Sequence, residues 1–212
     1  FQSALQELLQ ETFKAHQRII FNGNGYDDAW VAEAARRGLA NLRDTVDCMP
    51  AYIDKKNIDL FTKHAVLTET EMRARYEIHL ENYCKVTTIE AHTLLDMATR
   101  CILPAAGKYA DSLAQTLFHK KNCGISLPTV MEERTLSRVS EQSAPLFRIC
   151  EDLQTALHNA PAADGGIDVA RWYRAEIAAL TQQAGELINQ LETIVDAACW
   201  PYPTYADILF SV

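Results

Sequence analysis

The 212-residue sequence has no apolar run approaching the ~20 residues that cross a bilayer, and its start lacks the charged, apolar and small-residue segments of a secretory leader. The expectation is a cytoplasmic chain that no membrane receives. Cations are in the minority, 20 Lys+Arg against 28 Asp+Glu for a formal −8. That balance argues against nucleic acid and anionic lipid as partners, because polyanions need a cationic face. The six cysteines, Cys48, Cys84, Cys101, Cys123, Cys150 and Cys199, form no Cys-x-x-Cys pair. Zinc-site spacing is therefore missing, and reduced thiols, each a small buried hydrophobe, are predicted. The residues three before the six histidines are Phe13, Phe61, Tyr76, Ile89, Thr116 and Thr155. No Glu-x-x-His or His-Glu-x-x-His exists, which removes the usual helical carboxylate and zinc signatures, and no catalytic metal is expected.

Glycine and proline are also scarce and stand mostly at segment edges, leaving long stretches free for helix. A composition of 48% apolar and 23% charged residues is that of an ordinary globular protein with room for one large or two small domains. Phe1 stands where an initiator Met is expected, and Phe1, Leu5, Leu8, Leu9, Phe13 and Ile20 already repeat at helical steps, so a piece of a longer polypeptide is expected. Asn22-Gly23-Asn24-Gly25 predicts a sharp turn. A short helix follows, capped by Asp27 or Asp28, with Arg36 and Arg37 in its last turn and Gly38 at its end. Pro50 is read as opening a modest helix.

Thr68 and Glu71 have capping-box spacing, and a long helix should start there. Its predicted seam is Tyr76, Leu80, Tyr83, Thr87, Glu90, Leu94, Met97 and Cys101, a 3.5-residue period, until Pro104 kinks or breaks it. Helical pattern resumes to Asn122-Cys123-Gly124. A second long stripe runs Leu136, Val139, Ser143, Leu146, Cys150, Leu153 and Leu157, with Pro145 inside it as an expected bend. Asp168 is read as capping the last long helix, which carries Tyr173, Ile177, Leu180, Ala184, Leu187, Leu191, Ile194 and Ala198. The predicted fold is all-α: an antiparallel bundle of three long helices, shorter N-terminal helices and an extended proline-containing C-terminal tail. A single domain over 1–212 is expected, with shorter helices and turns in 1–66, the long-helix bundle in 67–199 and the tail in 200–212, where Thr204 caps a final turn.

Candidate chemistry is sparse. Gly23 and Gly25 start a Gly-x-Gly, yet position 28 is Asp and no strand precedes it, so a tight turn is the ordinary reading and an anion-binding nest of N–H groups the functional one. Glu90 falls on the predicted seam, where a carboxylate needs a cation, a donor or a proton. A register-fixing pair is the ordinary reading and a functional acid or ligand the alternative. Trp30, Trp172 and Trp200 lie on or beside apolar stripes and are read as core or interface packing. Cys150 and His158 are ~12 Å apart along one helix, too far for proton transfer.

The segment Arg18-Ile19-Ile20-Phe21-Asn22-Gly23-Asn24-Gly25-Tyr26 with Trp30, then Arg75-Tyr76-Glu77-Ile78, Ile102-Leu103-Pro104-Ala105, and Trp200-Pro201-Tyr202-Pro203-Thr204-Tyr205 with Leu209-Phe210, resembles the C-terminal region of type III glutamine synthetase. The resemblance runs in order along the whole chain. It departs at Asp27, where the family tends to have Ser, and at Tyr202, where it tends to have Leu. The resemblance implies a parent enzyme that joins ammonia to glutamate with ATP through γ-glutamyl phosphate, using Mg or Mn held by Glu and His of a catalytic domain. None of those positions is matched here, so no catalytic, cofactor-binding or metal residue is carried over, and the 212-residue piece alone is expected to be inactive. Asn22, Gly23, Asn24, Gly25, Tyr26, Trp30, Glu90 and Trp200 are structural or regulatory candidates. The implied partners are the parent's catalytic domain and neighbouring subunits of a double hexameric ring, with roles in packing, assembly or regulation. The alternatives are a free-standing helical interaction module and a helical enzyme with a carboxylate site at Glu90.

Overall fold

In the computed structural model, which describes residues 1–210, helices open behind Asp27, Asp54, Thr68 and Thr204, whose side chains each accept a first-turn N–H. The chain divides into two compact units, residues 1–48 and 49–212. Ser211 and Val212, the end of the predicted tail, lie outside the described residues.

The first unit carries α1 (Gln2–Ala15), a 3₁₀ turn (Gln17–Ile19) and α2 (Asp28–Arg36). The predicted first helix thus stops at Ala15 rather than Ile20. Asp27 is the cap of α2, its Oδ1 accepting from the Trp30 N–H at 3.0 Å. The apolar stripe of α1 lies open: Leu5, Leu8, Leu9 and Phe13 are 41%, 60%, 47% and 60% exposed.

At the boundary, α3 (Thr45–Tyr52) holds Pro50 in its interior, a correction to the expectation that Pro50 opens a helix; α4 (Lys55–Lys63) follows, capped by Asp54. The capping box at Thr68 and Glu71 is present and starts α5 (Glu69–Met97). A π-helical turn (Ala98–Ile102) joins α5 to α6 (Leu103–Asn122) without a break. Pro104 does not end the helix: it stands in the first turn of α6 directly behind the π turn, where the Leu103 N–H pairs five residues back with the Ala98 carbonyl and the ordinary ladder is already interrupted. Helix α7 (Val130–His158) runs unbroken through Pro145. A second π turn (Tyr173–Ala178) links α8 (Gly166–Trp172) to α9 (Ala179–Glu192), and α10 (Tyr205–Leu209) opens on a capping box of Thr204 and Asp207. Asp168 lies in the first turn of α8 and Gly165 holds the cap position, correcting the expected cap. The protein is all-α, with no strand among the described residues.

Helix α7 packs against α6 on one side and α9 on the other, while α5 packs against α8. The main cluster joins Ala98, Ile102 and Ala106 to Val139, Leu146 and Cys150 of α7 and to Ala184, Leu191 and Val195. The α7 and α9 stripes largely match the expected ones, except that Val195 is buried and Ala198 exposed. Along α5 and into the π turn the buried series is Met72, Tyr76, Leu80, Cys84, Thr87, Ala91 and Ala98, so from Cys84 on the core face takes the residues one place after the predicted Tyr83, Glu90 and Met97. Small residues, Cys84, Ala91 and Ala98, face the core there. Of the cysteines, Cys84 and Cys150 are buried and burial pushes their thiols up, whereas Cys123 is exposed and the others are half-buried. Not every cysteine is the buried hydrophobe expected of it.

Candidate functional site

The Asn22–Tyr26 turn stands on an aromatic and cationic stem. Helix α2 and its C-cap present Trp30 and Arg37 about two turns apart. The Phe21 ring lies 4.4 Å from the Trp30 ring, and the Arg37 guanidinium carbon sits 5.8 Å from the Phe21 centroid, within cation–π reach. Arg37 also ties the incoming chain: its Nη1 donates to the carbonyls of Arg18 at 2.9 Å and Ile20 at 2.5 Å. Glu33 receives Arg36 Nε at 2.7 Å and also Arg37 Nε, and these two guanidiniums hold its carboxyl down to about 2. The stem is therefore clamped to α2 by charge-assisted bonds on one side and ring packing on the other.

Gly23 answers to that packing. A Cβ there would lie 2.4 Å from Cζ of Phe21, so any side chain at this position requires the ring to shift from its place beneath the turn. Asn24 Oδ1 accepts from the Tyr26 N–H at 3.1 Å, closing an Asx turn at the tip. Beyond the stem no described residue covers the loop: Asn22 to Asp28 are exposed, Tyr26 wholly so at 101%. A rigid base carrying a bare phenol and two carboxamides offers recognition groups, with no paired nucleophile and base. Gly23→Ala is expected to expel Phe21 from Trp30 and destabilise the first unit by about 1–3 kcal/mol. Near-ultraviolet dichroism of Trp30 and a melting curve check it; an unchanged signal with unchanged stability would count against the packing role.

Asn22, Gly23, Asn24, Gly25, Tyr26 and Trp30 come together in this one feature, but Glu90 and Trp200 belong to the other unit. Glu90 corrects the expectation most plainly. It is exposed, because the seam passes from Thr87 to Ala91 and leaves it on the flank, lining a shallow groove of about 410 Å³ with Ile89, Thr93, Met97 and Ile188. Trp200 is half-buried against the main cluster, in line with a packing role, and its Nε1 has no hydrogen-bond partner among the described residues.

The buried acid of this fold is instead Glu132, which sequence reasoning missed. It is 1% exposed in the first turn of α7, and Lys120 Nζ of α6 lies 2.6 Å from its Oε1. Lys120 first, and a backbone N–H second, hold the Glu132 carboxyl below the usual carboxylate range, against burial acting the other way. The signal was available: Glu132 extends the Leu136–Val139 stripe back by one turn. Among the described residues no group of three or more His, Cys, Asp or Glu is gathered to hold a metal ion, so the donor set that a divalent cation requires is not offered.

Residues 4–121 match the family model described as the glutamine synthetase C-terminal domain. The chain is 34% identical over 208 residues to a glutamine synthetase of Butyrivibrio fibrisolvens, an alignment covering 98% of this chain and 30% of that protein. It is 27% identical to the type-3 glutamine synthetase of Dictyostelium discoideum, over 99% of the chain and 29% of that protein. A glutamine synthetase of Bacteroides fragilis (strain YCH46) is 26% identical, over 98% and 29%. The chain spans 29–30% of the length of these curated relatives.

Proposed function

Because this chain belongs to the glutamine synthetase C-terminal domain family, we propose that it is the helical accessory domain of a type III ligase, which joins ammonia to glutamate at the expense of ATP. In this reading the phosphoryl chemistry, the ATP and the Mg or Mn belong to parts of the parent outside these 212 residues. The domain contributes packing surface: it docks on its own catalytic domain and on neighbouring subunits, and so acts in assembly. Its working compartment is the cytoplasm.

The observation that carries the proposal is the stripe of α1. Leu5, Leu8, Leu9 and Phe13 recur at three- and four-residue steps on one face, and all four are exposed. A large apolar patch left open on a folded unit is the usual mark of a protein contact. Placing charge on that apolar face, Leu8→Glu with Phe13→Glu in the full-length ligase, is expected to dissociate the oligomer in sedimentation and lower glutamine synthesis, leaving the helical dichroism intact. Unchanged assembly would overturn the docking role. The isolated chain is expected to form no glutamine from glutamate, ammonia and ATP; turnover by it alone would overturn the accessory reading.

A further inference from the structure

The turn that the proposed function leaves without a task contains two Asn-Gly dipeptides in near-identical sequence but unequal surroundings. We infer that Asn24 is a site of spontaneous, site-selective deamidation, and that Asn22 is protected from it. The reaction needs only water. The Gly25 nitrogen, its proton lost to solvent base, attacks Cγ of Asn24. The Cγ–Nδ2 bond breaks, and the amide leaves as ammonia with a proton, giving a five-membered succinimide. Water then opens either carbonyl, yielding aspartate or isoaspartate.

At Asn24 the geometry serves each part of that step. Glycine as the following residue leaves the attacking nitrogen unshielded by a side chain. A Cβ on Gly25 would meet no heavy atom within 4 Å, so the backbone there can swing onto the carboxamide. The Gly25 N–H meets no hydrogen-bond acceptor among the described residues. The Tyr26 N–H donates to Asn24 Oδ1 at 3.1 Å, drawing electrons from Cγ and stabilising the oxygen as it gains charge.

At Asn22 the same chemistry is obstructed. Gly23 is lodged against Phe21, which is itself held by Trp30 and Arg37. Closing a ring at Asn22 would move the backbone that this packing fixes. Conversion at Asn24 adds one negative charge to a chain already at −8, and in the iso form one extra backbone carbon, beside the bare Tyr26 ring. The loop therefore carries a chemical clock at its tip.

The test incubates the folded chain in mildly alkaline buffer at physiological temperature. The tryptic peptide Ile19–Arg36 is then sequenced by fragment mass and labelled with an isoaspartyl methyltransferase. Conversion at Asn24 is expected to exceed that at Asn22 about tenfold. In guanidinium-unfolded chain the two sites should convert at similar rates, and Gly25→Ala should slow Asn24 in the folded protein. Equal rates in the folded chain, a faster Asn22, or an Asn24 that stays intact while the unfolded chain converts would each overturn the inference.

Discussion

Leu146→Ala is expected to remove about 2–5 kcal/mol from the stability of the helical unit, the largest single effect we anticipate for an uncharged substitution. Leu146 is 0% exposed and sits at the middle of α7, where the main cluster receives side chains from the α5–α6 π turn on one side and α9 on the other. Truncation loses the transfer energy of the removed atoms and leaves a cavity that three helices, packed close through Ala98, Ala106 and Ala184, cannot easily close. The neighbouring Phe147, 54% exposed, is the internal control: its alanine variant should change stability by about 0.5 kcal/mol or less. Urea melts at matched slope measure both. A Leu146→Ala loss no larger than that of Phe147→Ala would show that the cluster is not the core described here.

Lys120→Met is expected to reverse how acid acts on the same unit. In the native pair, the Glu132 carboxyl is held below its ordinary value, chiefly by Lys120. Its contribution is therefore fully present above the ordinary carboxylate range and is lost as pH falls through the lower folded value. Methionine keeps the stem of the side chain and removes the cation. The carboxylate, 1% exposed and with Oε2 already unpartnered among the described residues, would then favour its protonated form. The variant should melt several degrees lower at neutral pH and regain stability on mild acidification, where the native chain does not. Lys121→Met is the contrast, since the Lys121–Glu133 pair at 3.0 Å is about half exposed on both sides and is expected to matter little. Parallel pH profiles for native and Lys120→Met chains would sink the buried-pair account.

Much of this architecture was legible in the residues. The capping box at Thr68, the caps at Thr204 and at Asp27 of the pair Asp27 or Asp28, and the stripes of α7 and α9 follow from local chemistry and helical spacing, and the structure has them. The failures have separate causes. Counting from Tyr83 sets the α5 seam one residue early and puts Glu90 on it, whereas close helix approach places the small residues Cys84, Ala91 and Ala98 at the core. Pro50 reads as the start of a helix and Pro104 as a kink or break by their chemistry alone, yet Pro50 lies inside α3 and Pro104 directly behind a π turn in a helix that continues. The stem under the Asn22–Tyr26 turn was illegible for another reason: Arg37 reaches 17 and 19 residues back in the chain, beyond any local pattern. The Lys120–Glu132 pair spans 12 residues across a turn, and only the extension of a stripe hinted at it.

The two π turns bear on how this polypeptide tolerates gain or loss of a residue. A π turn holds one residue more than an α turn, and the helix on either side keeps its phase as though that residue were absent. Thr99 and Arg100 are exposed within Ala98–Ile102, so a deletion there would tighten the turn to ordinary α geometry and leave Ala91 and Ala106 facing the same way. The same loss in the middle of α7 would rotate everything downstream by about 100° and turn the Leu146 face toward water.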